Sequence, residues 1–139
     1  MLLKTALLSL LAVAPAALAE ITMTDCWLPD TYNATWVPRR DVEGGIAYLR
    51  DRWDQQCELA IEPGSPYTSF CYFDKVQIAG GLLHDAIEAS IPCGDIADAA
   101  QSVVDVCGDT TGTMVRGGAS IGNRVVVLPY PFPNSIQGH

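Results

Sequence analysis

The chain has 139 residues, with 8 Lys and Arg against 16 Asp and Glu, and a net charge of −8 at pH 7. A chain this acidic repels phosphate backbones and anionic lipid headgroups, which sets aside nucleic-acid binding and electrostatic membrane attachment. The length, less a leader, is that of one domain with a modest core.

Residues 1–19 have the layout of a secretory signal: Lys4, then the apolar run Ala6 to Val13, then the small-x-small site Ala17-Leu18-Ala19. That run is too short and Ala-rich for a bilayer span, and no later segment is long enough, so no membrane span is expected. The expected location is secreted and extracellular, where disulfides are permitted. After the leader, 7 basic residues stand against 16 acidic ones, a charge of −9.

Five cysteines follow: Cys26, Cys57, Cys71, Cys93 and Cys107. An odd number in a secreted chain needs an explanation. Arg39-Arg40, in a loop-like stretch with Pro38 and followed by Asp41, has the form of a dibasic processing site. Cleavage after Arg40 would discard Cys26 with a propeptide and leave four cysteines. The alternative is an ordinary exposed pair, with Cys26 free or bonded to another chain. Against the cut, a new ammonium at Asp41 would sit at the positive end of a helix. Asn33-Ala34-Thr35 is an N-glycosylation sequon that would leave with the propeptide. Residues 20–40 thus read as a propeptide or N-terminal arm, 41–129 as the domain, and 130–139 as a Pro-rich extended tail.

Asp41 to Gln55 is predicted helical, with Asp41 as N-cap and Val42, Ile46, Leu49 and Trp53 on one stripe. Gly44-Gly45 weakens its first turns, by about 1 kcal/mol per Gly relative to Ala, or allows close packing on a sheet. Cys57 to Ile61 alternates as a half-buried strand does. Pro63-Gly64-Ser65-Pro66 is a turn. Thr68 to Ile78 reads as one or two strands, with Phe70, Tyr72, Val76 and Ile78 on one face and Asp74 at a bend. In Cys93 to Cys107, Ile96, Ala99, Ala100, Val103 and Val104 form an apolar stripe at helical period, with Asp95 as predicted N-cap and Gly108 as the stop. Thr113 to Ala119 and Arg124 to Leu128 read as a hairpin, and Val125-Val126-Val127-Leu128 as a central strand covered on both faces. The prolines of Pro129-Tyr130-Pro131-Phe132-Pro133 exclude that run from a ladder or helix.

A helix from Cys93 to Cys107 is about 20 Å long at 1.5 Å per residue, so those two cysteines cannot bond each other. Two antiparallel helices on one sheet would bring Cys57 to Cys93, leaving Cys71 for Cys107. The alternative pairing, Cys57–Cys107 with Cys71–Cys93, stays open.

No motif assigns catalysis. His84-Asp85 has no Gly-x-Ser-x-Gly partner, Glu58 and Glu62 have no fixed separation, and Gly117-Gly118 lacks the Lys and Ser/Thr of a phosphate loop. The cysteines are too dispersed for a metal site. No catalytic residue, cofactor or metal is therefore expected. Trp36, Trp53, Tyr67, Phe70 and Tyr72 are candidates for a carbohydrate- or protein-binding patch, with core positions the commoner fate for Trp53 and Phe70.

With Ile46-Ala47-Tyr48-Leu49-Arg50, Cys57, Cys71, Cys93-Gly94-Asp95-Ile96-Ala97-Asp98-Ala99-Ala100, Cys107 and Arg124-Val125-Val126-Val127 in this order, residues 41–129 resemble small secreted cysteine-rich fungal proteins, effector-like and similar to the killer toxin KP6-like α/β group. The resemblance implies an α+β fold. This is a disulfide-stapled two-layer sandwich, with two helices on one face of a four- or five-stranded antiparallel sheet. On the same ground, Leu82 to Ile91 is expected as a strand. It implies a non-enzymatic effector or toxin that binds a host or competitor protein, or a cell-surface component, and it carries no catalytic residues. A secreted hydrolase, a hydrolase inhibitor and a wall or surface structural protein are the alternatives.

Overall fold

A computed structural model of the chain describes residues 21–26, 35–60, 67–83, 88–122 and 125–131. Strands β1 (Ile21–Asp25) and β2 (Val37–Pro38) precede helix α1 (Arg39–Arg50). Strands β3 (Gln56–Ala60), β4 (Tyr67–Phe73), β5 (Val76–Leu82) and β6 (Glu88–Pro92) lead to helix α2 (Cys93–Val106). Strands β7 (Met114–Val115), β8 (Gly118–Ile121) and β9 (Val125–Pro131) close the fold. The main sheet is antiparallel with five strands in the order β1-β8-β9-β5-β4, and β2-β7 and β3-β6 form two smaller pairs.

Both helices pack on one face of this sheet, α1 against β4 and β5 and α2 against β1, β8 and β9. The mixed α+β sandwich expected from the sequence is thus observed, with five strands. Val42, Ile46 and Leu49 of α1 and Ile96, Ala99, Ala100, Val103 and Val104 of α2 are the buried stripes. They meet Val76, Ile78, Ala119, Val125 and Val127 in one core. Each fully buried Val, Leu or Ile contributes roughly 1.5–3 kcal/mol relative to exposure. Gly45 lets α1 approach closely: a Cβ there would lie 2.9 Å from Ile78 Cδ1.

The run Val125 to Leu128 is the central strand, flanked by β8 and β5, and all four residues are buried. β9 continues through Pro131, which corrects the expected exclusion of Pro129 and Pro131 from a ladder. The reason lies in the register. β8 pairs only with Val125 to Val127, while β5 pairs onward to Pro131. Prolines at alternate positions direct both missing N–H groups to the same side, here past the end of β8. Gln77 Nε2 also donates to Pro131 O at 3.0 Å.

Both helix starts differ from the prediction, for one physical reason. Neither Asp41 nor Asp95 is an N-cap; Pro38 and Pro92 hold those positions without a side-chain bond. Carbonyls of other segments accept from the first N–H groups instead: Thr113 O from Arg39 N at 2.9 Å, and Gln55 O from Cys93 N at 2.8 Å. Helix α2 ends at Val106 with Cys107 as its C-cap, so Gly108 follows directly as the stop, but without the expected left-handed φ; it bridges to Val115 instead.

In β4, a bulge between Ser69 and Cys71 shifts the alternation. Cys71 therefore points into the core, and Tyr72 is 54% exposed, which corrects its expected place beside Val76 and Ile78. Asp74 marks the bend, in the β4–β5 turn with φ 52°. Of the expected strand over Leu82 to Ile91, Leu82 ends β5 and residues 88–91 lie in β6, while 84–87 are outside the described residues.

Residues 21–26 are not a detachable arm. β1 is an edge strand of the sheet, paired with β8 from Ile21 to Asp25. Its Thr24 hydroxyl lies 3.0 Å from that of Ser102 on α2. The domain therefore starts before residue 41.

Candidate functional site

Two disulfides fasten α2 at both ends. Cys57–Cys93 joins its first residue to β3, the preferred pairing from the sequence, with a Cα separation of 5.2 Å. Cys26–Cys107 joins its C-terminal end to the residue after β1. The expected Cys71–Cys107 bond is corrected by this finding. Cys71 is the free cysteine, buried beneath α1 with its Sγ 3.7 Å from Gly45 O. The bulge aims its side chain at α1 and not at α2. Burial pushes the Cys71 thiol up to about 11.

The segment between α1 and β3 packs on the start of α2 and forms a groove there. After Arg50 the chain leaves α-helical geometry. Arg52 N donates to Leu49 O, Trp53 N to Arg50 O and Gln55 N to Arg52 O, all i to i−3 bonds. This tighter winding rotates Trp53 off the apolar stripe predicted for it, and it is 66% exposed. Its backbone is fixed on the first turn of α2, where Gly94 N donates to Trp53 O at 3.1 Å. A Cβ at Gly94 would come within 3.1–3.3 Å of Trp53 Cβ, O and Cα, so glycine is what fits there.

Around the indole lies an open groove of about 640 Å³, lined by Arg50, Trp53, Asp54, Pro92, Asp95 and Asp98 among others. Arg50 Nη1 donates to Asp98 Oδ1 at 2.9 Å, linking α1 to α2 across it. Burial, and then the like charge of Asp98, hold the Asp95 carboxyl above its usual value. An indole this exposed forgoes on the order of 3–4 kcal/mol of apolar burial. That is large for a domain whose total stability is roughly 5–15 kcal/mol.

A second groove, of about 290 Å³, runs along the other side of the same segment, between Tyr48, Arg52, Glu58 and Phe70. Arg52 stacks over the Tyr48 ring at 3.7 Å. Glu58 accepts from Ser90 Oγ at 3.0 Å.

The sequence-predicted candidates are dispersed. Arg39 and Arg40 begin α1, with Arg39 in an ion pair to Glu43 at 3.5 Å; they are not in a loop. Asn33, Glu62, His84 and Asp85 lie outside the described residues. Trp36 stands beside Arg116, Phe70 packs over Gly80, Tyr72 is exposed on β4, and Tyr67 opens that strand. Trp53 and Phe70 thus line different grooves, and Trp36 stands apart beside Arg116. Among the described residues no group of three or more His, Cys, Asp or Glu could hold a metal ion. No described helix is long and apolar enough to cross a membrane. Sequence reasoning missed the Trp53 groove because the helical stripe continued through Trp53; the breaking signal was the polar run Asp54-Gln55-Gln56 just after it.

A family model described as a domain of unknown function, DUF8794, matches residues 16–128. The chain belongs to this family. The matched span includes both disulfides and every residue named in the groove. No curated protein and no solved structure matches the chain.

Proposed function

We propose that this protein is an exported, disulfide-stapled binding protein, without catalytic activity, that acts outside the producing cell as an effector or killer toxin-like factor. Its target is a host or competitor protein or a cell-surface component. The leader-like residues 1–19 and the two disulfides support export. The two helices on one antiparallel sheet agree with the architecture that the resemblance implied.

The observation that carries the reading is Trp53. It is the most exposed large apolar side chain among the described residues, and it sits in a groove where its backbone is held against Gly94 of α2. A solvent-facing indole on a backbone fixed in this way is what a binding surface uses as an anchor.

The test uses oxidised protein collected from the medium of a secreting host and labelled at its N-terminus. Intact yeast cells and intact plant cells are the probes. Expected are recovery from the medium without residues 1–19, retention on one of the two surfaces, and loss of retention on Trp53→Ala but not on Trp36→Ala. Failure of export, or retention indifferent to Trp53, overturns the reading.

A further inference from the structure

Three of the exposed aromatic rings among the described residues, Trp36, Tyr48 and Trp53, are treated differently. Tyr48 has the Arg52 guanidinium over its face at 3.7 Å, and Trp36 has that of Arg116 at 4.8 Å. Trp53, more exposed than either, has no cation over its ring among the described residues.

The carboxylates around Trp53 are also left uncompensated. Asp98 is paired with Arg50, whereas neither Asp54 nor Asp95 has a Lys or Arg partner among the described residues. The groove thus joins a bare indole face to two unpaired carboxylates and a net negative wall. An aromatic face attracts a cation through its quadrupole, and a carboxylate pairs with a guanidinium through charge-assisted bonds. Fold and charge together supply every part of the two internal cation–aromatic pairs except the cation.

We infer that the Trp53 groove binds a basic side chain, arginine or lysine, presented by a peptide segment of a partner protein. The guanidinium or ammonium stacks on the Trp53 indole and is held by Asp54 and Asp95. The Arg50–Asp98 pair forms one wall and keeps Asp98 engaged. The charge of −9 after the leader steers such a partner towards it. This assignment rests on the reading of Trp53 as a binding anchor and adds the chemistry of its ligand.

The experiment titrates the oxidised protein with tetra-arginine, tetra-citrulline, free arginine and a neutral chitin-type oligosaccharide at about 0.15 M salt, where diffuse attraction is screened beyond roughly 8 Å. Calorimetry reads affinity, and the indole N–H resonances read the site. The expected result is saturable one-to-one binding of tetra-arginine with a shift of the Trp53 indole signal. Free arginine binds the same site more weakly, and tetra-citrulline does not bind. Trp53→Ala is expected to weaken tetra-arginine by about ten-fold or more, and Asp54→Asn with Asp95→Asn by a similar factor. Trp36→Ala changes nothing. Unfolding midpoints of the variants exclude misfolding as the cause.

Tetra-arginine binding that ignores Trp53→Ala and the paired Asn substitutions is diffuse attraction and overturns the inference. So does a Trp53 shift produced by the oligosaccharide alone. If cell-surface retention requires Trp53 but tetra-arginine does not bind, the ligand class is wrong and the proposed function stands. If tetra-arginine binds at Trp53 while no cell surface retains the protein, the proposed function fails and the site remains.

Discussion

Gly94 and Trp53 are in backbone contact: the amide of one donates to the carbonyl of the other at 3.1 Å, in the first turn of α2. This contact fixes the Trp53 backbone against the start of α2. An exposed helical Gly→Ala change normally stabilises by about 1 kcal/mol. At Gly94 the expected sign is the opposite, because the new methyl would come within 3.1–3.3 Å of Trp53 Cβ, O and Cα, and the Gly94 N–H bond to Trp53 O ties these atoms to the helix. Gly94→Ala is expected to lower stability by about 1 kcal/mol in urea titration and to weaken groove binding.

Removal of Cys26 tests which cysteine partners Cys107. The bridge spans 81 residues of sequence and secures an edge strand to the end of a helix. Cys26→Ser is expected to cost about 2–5 kcal/mol and to expose one new thiol on Cys107. Cys71→Ser is expected to leave the peptide map of both disulfides unchanged. A map showing Cys71 bonded to Cys107 in the wild-type protein would refute the assignment.

The Cys71 thiol is buried, and its pKa of about 11 leaves almost no thiolate at pH 8. The thiolate is the reactive form, so alkylation of the native protein should be negligible over hours. In denaturant, one thiol per chain should react at once. Titration with a chromogenic disulfide reagent before and after unfolding checks both.

Asp95 has a folded pKa raised above 3.8, so the native state binds its proton more readily than the unfolded chain does. The stability this residue contributes is therefore greatest in acid and declines as pH rises from about 4 through the raised value. Its place in the first turn of α2 would favour the charge, but burial and Asp98 outweigh the helix end. Asp95→Asn should raise stability at pH 7 by roughly a few tenths of a kcal/mol, and the advantage should vanish near pH 3. Urea midpoints at the two pH values read the difference.

The apolar stripes of both helices and the central position of Val125 to Leu128 are readable in the sequence, because each follows from periodicity. Helix length excludes only a Cys93–Cys107 bond, and Cys57–Cys93 is favoured over an open alternative by assuming that the two helices pack antiparallel. What escaped was set by distant partners. Thr113 O, Gln55 O and Trp53 O cap helices to which they do not belong, so Asp41 and Asp95 were mistaken for caps. The bulge at Phe70 exchanged Cys71 for Tyr72 as the inward residue, and with it the identity of the free cysteine. Pro29, Asn33 and Pro38 suggested an arm over residues 20–40, whereas β1 takes its hydrogen bonds from β8, nearly a hundred residues away. The groove was hidden for a similar reason, since a change of helical pitch after Arg50 leaves little trace in composition.

The bond from Cys26 to Cys107 alters what cleavage at the dibasic pair could accomplish. Scission after Arg40 would divide the polypeptide but not the molecule. The N-terminal fragment would stay tethered as the light chain of a covalent heterodimer, migrating as one species until a reductant released it.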